Sequence, residues 1–353
     1  MLKAAEVVGA EAIIGLCMDE TAEDIRDFVE YVNGGQETQW GRLRAQYGHE
    51  ASYGLKYIQV DNERRLTRGY LECVKKFAEA AWQSDPEMTI MTSLNIGPNG
   101  YRRGTPEYDL AAEMAGWFIA RGKGDKLAWD SHYDGTIPFA DSGAKFENTM
   151  GITLQRELAK DFPGFKLVLT PMEENGGRCD WDRGLAHAHN WNTLQRYGDC
   201  FRMVGTANTF QPHKLHYDWN QGRIHFLADT LWFQPSAHID EMMMKTWKPV
   251  VVSTESSDPV LDITAKTDHG LKELTLYVAN LGDHPREAVI DLRGFNFKGK
   301  AEVQTIGGCE LTEYNTYDRK ENVVFQPSTA KFSRKGMRYT FPKYSYTIIT
   351  LKK

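Results

Sequence analysis

Two short segments of this sequence place carboxylates directly after runs that read as buried strands. Val60-Asp61-Asn62-Glu63 follows Tyr57-Ile58-Gln59, and Thr170-Pro171-Met172-Glu173-Glu174-Asn175 follows Phe165-Lys166-Leu167-Val168-Leu169. In a parallel β/α barrel, functional side chains stand at the C-terminal ends of strands, so carboxylates far apart in sequence can converge there. A protonated and an ionised carboxyl about 5 to 5.5 Å apart are what retaining glycoside hydrolysis requires. Taken alone, a Glu after a strand is more often a helix cap or an ion-pair partner. Asn62 beside Glu63 favours chemistry, because an amide next to the acid can bond the hydroxyl adjacent to an anomeric carbon. Glu173 and Glu174 point to opposite sides of extended chain, so at most one faces a barrel mouth and the other is structural. A buried carboxylate is costly without a partner, so it wants an Arg or a chemical role.

Another strand end lies between them, Trp129-Asp130-Ser131-His132-Tyr133-Asp134-Gly135. There His132 and Tyr133 either orient a carboxylate and shape a small pocket or simply pack under the loop. Ala207-Asn208-Thr209-Phe210-Gln211-Pro212 offers one more amide, Gln211, at the rim. Other constellations are weaker. His187-Ala188-His189 falls in helical sequence, where positions i and i+2 do not share a face. His213 and His216 lack a carboxylate to complete a ligand set, so no metal site is expected. The chain has no GxSxG, no Walker loop and no GxGxxG opening a helix after a strand.

Composition narrows the partner. A net charge of −6, a pI near 6.0 and no long run of Lys or Arg argue against nucleic acid and anionic membranes. Aromatic residues make up 12 % of the chain, with nine Trp and sixteen Tyr, many among Asn, Asp, Gly and His. Sugar sites use that mixture, since flat rings cover C–H faces while amides and carboxylates bond hydroxyls, although ordinary core and surface aromatics account for it equally well. Five scattered cysteines without a CxxC speak against a disulfide framework and a zinc knuckle. No stretch reaches the ~20 apolar residues of a spanning helix. The first residues, Met1-Leu2-Lys3-Ala4-Ala5-Glu6, are not a secretory signal; the location is left open, with the cytoplasm favoured.

The elements that must position these residues follow from hydrophobic patterning. Strands are expected at Ala12–Leu16, Lys56–Val60, Thr89–Leu94, Leu127–Asp130, Lys166–Leu169 and Phe201–Thr206. Helices alternate with them at Thr21–Tyr31, Thr67–Trp82, Glu107–Ala120, Thr149–Asp161, Asp182–Tyr197 and Ser236–Thr246. Thr21-Ala22-Glu23-Asp24 has the form of a capping box, and Asp85-Pro86 closes the second helix. This is an α/β chain of about six β-α units, against eight in a complete (β/α)8-type TIM barrel. Beyond Val250 the texture changes to alternating strands at Leu271–Ala279, Ala288–Leu292, Lys300–Gln304 and Tyr344–Thr350, which read as an antiparallel sandwich. The partition is a partial barrel over 1–248 and a C-terminal all-β sandwich over 249–353.

Several ordered motifs resemble the α-L-arabinofuranosidases of glycoside hydrolase family 51. They are Trp40-Gly41-Arg42-Leu43-Arg44-Ala45, Lys56-Tyr57-Ile58 leading to Asn62-Glu63, His132-Tyr133, and Glu173 with Asn175 two residues on. Asn208-Thr209-Phe210-Gln211 and Asn315-Thr316-Tyr317-Asp318 resemble segments of the family's strand-eight loop and C-terminal sandwich. Two positions depart from the pattern: Asp61 stands where the family usually has Gly, and Glu174 replaces an aromatic. The first strand here matches the family's third, so the chain reads as a C-terminal portion of such an enzyme, with low solubility or self-association expected from an open barrel edge.

The resemblance implies a retaining exo-acting enzyme that removes terminal α-L-arabinofuranosyl groups from arabinan, arabinoxylan or their oligosaccharides. It assigns Glu63 as acid/base and Glu173 as nucleophile. Asn62, His132, Tyr133 and Gln211 would hold the sugar or tune the carboxylates. No metal or organic cofactor is required, and a homo-oligomer is implied. The competing readings are another barrel glycosidase of the same clan, such as an endo-glucanase or xylanase, an inactive carbohydrate-binding remnant, and, more distantly, a metal-dependent hydrolase.

Overall fold

A computed structural model of the protein describes residues 1–174, 176–214, 220–295, 297, 299–332 and 336–353. Asn175 of the nucleophile motif and His216 lie outside the described residues. The chain begins α1 (Leu2–Val8), β1 (Ile13–Leu16), α2 (Ala22–Asn33), α3 (Gln39–Gln46), β2 (Tyr57–Arg64), α4 (Arg68–Ser84), β3 (Thr89–Leu94), α5 (Pro106–Ala120) and β4 (Leu127–Asp130). It continues through β5 (His132–Asp134), α6 (Ile137–Ala140), α7 (Ala144–Thr149), α8 (Ile152–Asp161), β6 (Val168–Leu169), β7 (Met172–Glu174), α9 (Trp181–Arg196) and β8 (Gly205–Ala207). Two compact units emerge. The first holds Met1–Tyr133, Gly143–Met172 and Cys200–Gly205, and the second holds Asp134–Ser142, Glu173–Asp199 and Thr206–Lys353.

In the first unit, β1, β2, β3, β4 and β6 pair in that order, all parallel. Five of the six expected strands form this sheet; of the sixth, Phe201–Thr206, only Phe201 joins it, as an isolated parallel bridge to Leu169, and Gly205–Ala207 forms β8 in a separate sheet with β5 and β7. Strand-helix alternation dictates this order, because each helix returns the chain for a parallel neighbour. One face of the sheet gathers Tyr57, Met91 and Ala128, with Ile13, Val168 and Met203 against them. The two-residue period puts Ile58, Ile90 and Leu169 on the opposite face, where they too are fully buried.

Local signals fix the helix ends. Thr21 and Asp24 form a reciprocal capping box on α2, and Thr67 and Thr105 cap α4 and α5, the latter with Pro106 in its first turn. The helix expected over Thr149–Asp161 is α8, which begins at Ile152 and is preceded by the short α7. Gly151 separates them at φ 79°, and a Cβ there would stand 3.0 Å from Leu169 Cδ2, so the chain turns where it comes closest to the strand.

The second unit contains α6 and α9 and continues with β9 (Phe210–Pro212), β10 (Ile224–Phe226), β11 (Leu231–Phe233), α10 (Pro235–Thr246), β12 (Val250–Val252), β13 (Leu261–Thr267) and β14 (Glu273–Asn280). It ends with β15 (Arg286–Ile290), β16 (Gly299–Gly307), β17 (Gln326–Phe332), β18 (Met337–Phe341) and β19 (Ser345–Lys352). An antiparallel sheet of order β12-β13-β14-β19-β16-β17 is joined by the β15-β18 ribbon. Leu274, Leu276 and Val278 of β14 pack with Ala301, Phe332, Phe341, Ile349 and Leu351 in one core. The alternate residues Tyr277, Ala279, Tyr346 and Ile348 pack on the other face against Trp181, Leu185 and Ala188 of α9 and Ile239 and Met242 of α10. The patterning suggested a sandwich without helices. Two helices cover its second face, which is why β14 and β19 are buried along almost their whole length.

A buried charge cluster ties α9 to β13. His189 Nδ1 lies 2.8 Å from Asp262 Oδ2, which also pairs through its carboxylate with Arg196. His189 Nε2 makes an ionic contact with Asp141 Oδ1 at 3.0 Å that lacks hydrogen-bond geometry. Burial disfavours the charged imidazole, but the two carboxylates outweigh it and raise the pKa from 6.5 to about 9. The protonated ring therefore contributes stability that is full below about pH 6.5 and is lost as the pH rises through about 9, in total about 3 kcal/mol. Urea unfolding midpoints should fall between pH 7 and pH 10 in the wild-type chain, and this fall should shrink in a His189→Gln variant. An unchanged slope in the variant would place the pH dependence elsewhere.

Candidate active site

Glu63 owes its position to an irregular strand end. Val60 pairs with Thr92 but Arg64 with Leu94, so β2 carries extra residues against β3 and forms a bulge. Within it Asp61 and Glu63 adopt left-handed backbone, φ 59° and φ 52°. Such a conformation is uncommon for residues other than Gly and clusters at functional sites. Several groups hold the bulge in place. The Asp61 carboxylate accepts from Asn62 N at 2.7 Å and pairs with Arg64 at 2.8 Å. Glu63 N donates to Ser93 Oγ at 2.9 Å, and Ser93 Oγ–H donates to Asn62 Oδ1 at 3.3 Å. Tyr70 of α4 accepts from Ser93 N and donates to Val60 O.

The Glu63 side chain is 41 % exposed and meets His132 Nδ1 at 2.9 Å. His132 is almost fully buried, and its Nε2 lies 3.0 Å from Asp130 Oδ2. Burial pushes the Asp130 carboxyl above its ordinary range, against the pull of His132. The result is a buried imidazole held between a buried carboxyl and an accessible one. It can orient Glu63 and exchange a proton with it. Glu63, Asn62 and His132 are thus brought together, and Tyr133, next in the chain, is buried at 3 % exposure.

Glu173 belongs to the second unit and is 1 % exposed. Its Oε1 lies 2.9 Å from His187 Nδ1 on α9. Trp191 Nε1 also lies 2.8 Å from His187 Nε2, on the side of the ring away from Glu173. Asp240 Oδ1 of α10 is 2.8 Å from His187 Nε2, and Asp240 also pairs with Arg223. Burial raises the Glu173 carboxyl, but His187, Arg223 and Arg183 together hold it below its ordinary value. Burial pushes His187 below its ordinary value. Gly135 is required alongside, since a Cβ there would stand 2.4 Å from Glu173 Cδ. Arg183 donates to the carbonyls of Gly135 and Glu174 and pairs with Asp134. Glu174 is half-buried.

Residues 2–122 match the family model described as "Alpha-L-arabinofuranosidase 1 domain", and residues 171–345 match the "Alpha-L-arabinofuranosidase C-terminal domain". The chain belongs to the α-L-arabinofuranosidases. It is similar to an extracellular exo-α-L-arabinofuranosidase of Streptomyces chartreusis, 25 % identical over 61 % of this chain and 22 % of that protein. It is also similar to a probable α-L-arabinofuranosidase A of Aspergillus terreus, 32 % identical over 26 % of this chain and 15 % of that one. The matched part is thus well under half the length of either relative. Among solved structures, an arabinose complex of the Thermotoga maritima α-L-arabinofuranosidase superposes with a TM-score of 0.78 at 17 % identity, covering 100 % of this chain and 78 % of that one. The Thermotoga petrophila family 51 enzyme gives 0.77 at 18 % identity, covering 99 % and 78 %. The fold of this chain is accordingly that of an α/β TIM-type barrel followed by a C-terminal β domain.

Asp61 suits its backbone at φ 59°, since Asp is among the few residues other than Gly that tolerate a left-handed conformation. Gln211 lies in the second unit, where its Oε1 accepts from Gly222 N at 3.1 Å. It lines a cavity of about 360 Å³ with His213, His225, Trp232, Asn315 and Tyr317. Asn315 of the C-terminal motif is wholly engaged with the backbone of Phe233 and Val323. The two histidines of His187-Ala188-His189 diverge to separate carboxylate partners, as i and i+2 on a helix must. Ser93, Asp130 and Asp240 escaped the sequence reading. Ser93 and Asp130 each occupy the strand position two beyond a core residue, Met91 and Ala128, and that period was the signal available for them. Among the described residues, no helix is long and apolar enough to cross a membrane.

Proposed function

We propose that this chain is the catalytic portion of a retaining exo-α-L-arabinofuranosidase, acting on terminal α-L-arabinofuranosyl groups of arabinan- or arabinoxylan-type chains. The observation that carries the proposal is Glu63, accessible at a strand end and held by the buried His132–Asp130 pair, in a chain of this family. Glu63 protonates the leaving oxygen while a carboxylate of β7, Glu173 by motif, attacks the anomeric carbon; water then completes hydrolysis with Glu63 as base. Retaining chemistry of this kind uses carboxyl groups about 5 to 5.5 Å apart. Asn62, Tyr133 and Gln211 are proposed sugar contacts, with Asn62 best placed for the hydroxyl beside the anomeric centre. The partition belongs to the proposal: a catalytic barrel over 1–248 and a sandwich over 249–353.

A panel of 4-nitrophenyl glycosides tests the assignment. The α-L-arabinofuranoside should be cleaved at least tenfold faster than the β-D-xyloside or the β-D-glucoside, and proton NMR of the first product should show the starting anomeric configuration. Preference for another glycoside, or an inverted first product, would overturn it.

A further inference from the structure

We propose that Glu174, not Glu173, is the carboxylate that attacks the anomeric carbon, and that Glu173 is a buried anchor for the strand. The inference rests on the retaining reading above and names a different residue from the one the motif supplies.

Hydrogen bonding shows that the chain is extended without interruption through this segment. Thr170 N and Met172 N donate to Trp129 O and Ser131 O, both at 2.9 Å, while Leu169 O and Pro171 O accept from Arg202 N and Gly205 N at 2.9 and 3.0 Å. Glu174 O accepts from Gly135 N at 3.1 Å, on the same side as residues 170 and 172. Even and odd residues therefore alternate in bonding direction and in side-chain face. Val168 faces Tyr57, Met91 and Ala128, and Thr170 and Met172 follow it. That is the face on which Ser93 and Asp130 continue from Met91 and Ala128. The same period turns Glu174 to the side of Met172 and Glu173 to the other.

Glu173 is already committed on its own side. Its carboxylate accepts from His187, is wedged against Gly135 and sits in the field of Arg183 and Arg223. An attacking oxygen needs a lone pair open to carbon, and a carboxylate 1 % exposed, bonded to a helix behind the strand, presents none. In the proposed step a Glu174 oxygen bonds to the anomeric carbon as that carbon's bond to the leaving oxygen breaks. The leaving oxygen takes the proton from Glu63. Water then displaces Glu174, giving its proton to Glu63 and restoring both groups.

The test uses the full chain. Wild-type protein inactivated by a mechanism-based arabinofuranosyl epoxide and mapped by peptide mass spectrometry should carry the ester on Glu174. Glu174→Ala should lower turnover of 4-nitrophenyl α-L-arabinofuranoside about 10⁴-fold or more. Sodium azide should then restore it at least tenfold, giving the β-configured glycosyl azide, whereas Glu173→Ala should gain nothing from azide. An ester on Glu173, or azide rescue of Glu173→Ala, overturns the proposal. A wild-type chain that neither cleaves the arabinofuranoside nor takes the label removes the arabinofuranosidase reading itself, a distinguishable failure.

Discussion

Replacing Glu63 by Ala should slow release of arabinose from arabino-oligosaccharides by about 10²- to 10⁴-fold, the range that general acid assistance supplies. The same variant should lose far less on 2,4-dinitrophenyl α-L-arabinofuranoside, because that leaving group departs without a proton. Formation of the glycosyl-enzyme then proceeds while its hydrolysis, which needs Glu63 as base, lags, so a burst of dinitrophenol should precede a slow steady state. Steady-state and rapid-quench kinetics on the two substrates measure this directly. Equal losses on both would remove Glu63 from proton transfer. The structure makes the expectation specific: Glu63 is accessible, while its backbone is fixed by Ser93 and its carboxyl by His132, so removing the side chain should leave the bulge standing.

The second large effect concerns stability. Trp181 is fully buried at the start of α9, with its Nε1–H donating to Tyr344 O at 2.6 Å. Its ring lies against Gly307, where a Cβ would come within 2.4 Å of Cζ2. Around it pack Leu185, Ile239, Met242, Ile306 and Tyr346. Trp181→Ala empties this space and should cost about 3–5 kcal/mol. For a unit of this size that corresponds to a fall in melting temperature of roughly 10 °C, readable by circular dichroism. Trp181→Phe should lose clearly less. A melting temperature unchanged by the Ala substitution would mean that the helix is not seated on the sheet through this residue.

Much of the strand order was readable because parallel strands buried on both faces give short apolar runs, and Tyr57–Val60, Thr89–Leu94 and Leu127–Asp130 are of that kind. The reading stopped short at Val60, since the bulge that carries the chain on to Arg64 has no hydrophobic signature; it depends on Asp61 and Glu63 accepting a backbone that sequence periodicity does not report. Strands β13 and β17 were missed for a related reason. Leu261-Asp262-Ile263-Thr264 spends its polar positions on α9, and Gln326-Pro327-Ser328-Thr329 lies on a sheet edge with little to bury. The carboxylates at the two strand ends could be found from pattern alone. Which face of the strand each of Glu173 and Glu174 takes could not, because that depends on the register of a strand whose neighbours are distant in sequence.

The seating of α9 has a practical consequence. One face of this helix carries His187, which grips Glu173 behind the strand, and another presents Trp181, Leu185 and Ala188 to the antiparallel sheet. A truncation after Lys248 would strip the support from α9 and α10 and leave their apolar stripe in water, with the Glu173 network losing its backing. The C-terminal sheet is therefore a foundation for the helix that holds Glu173 rather than an appendage to it, and domain-swapping or minimisation schemes should keep α9, α10 and residues 249–353 as one inseparable block.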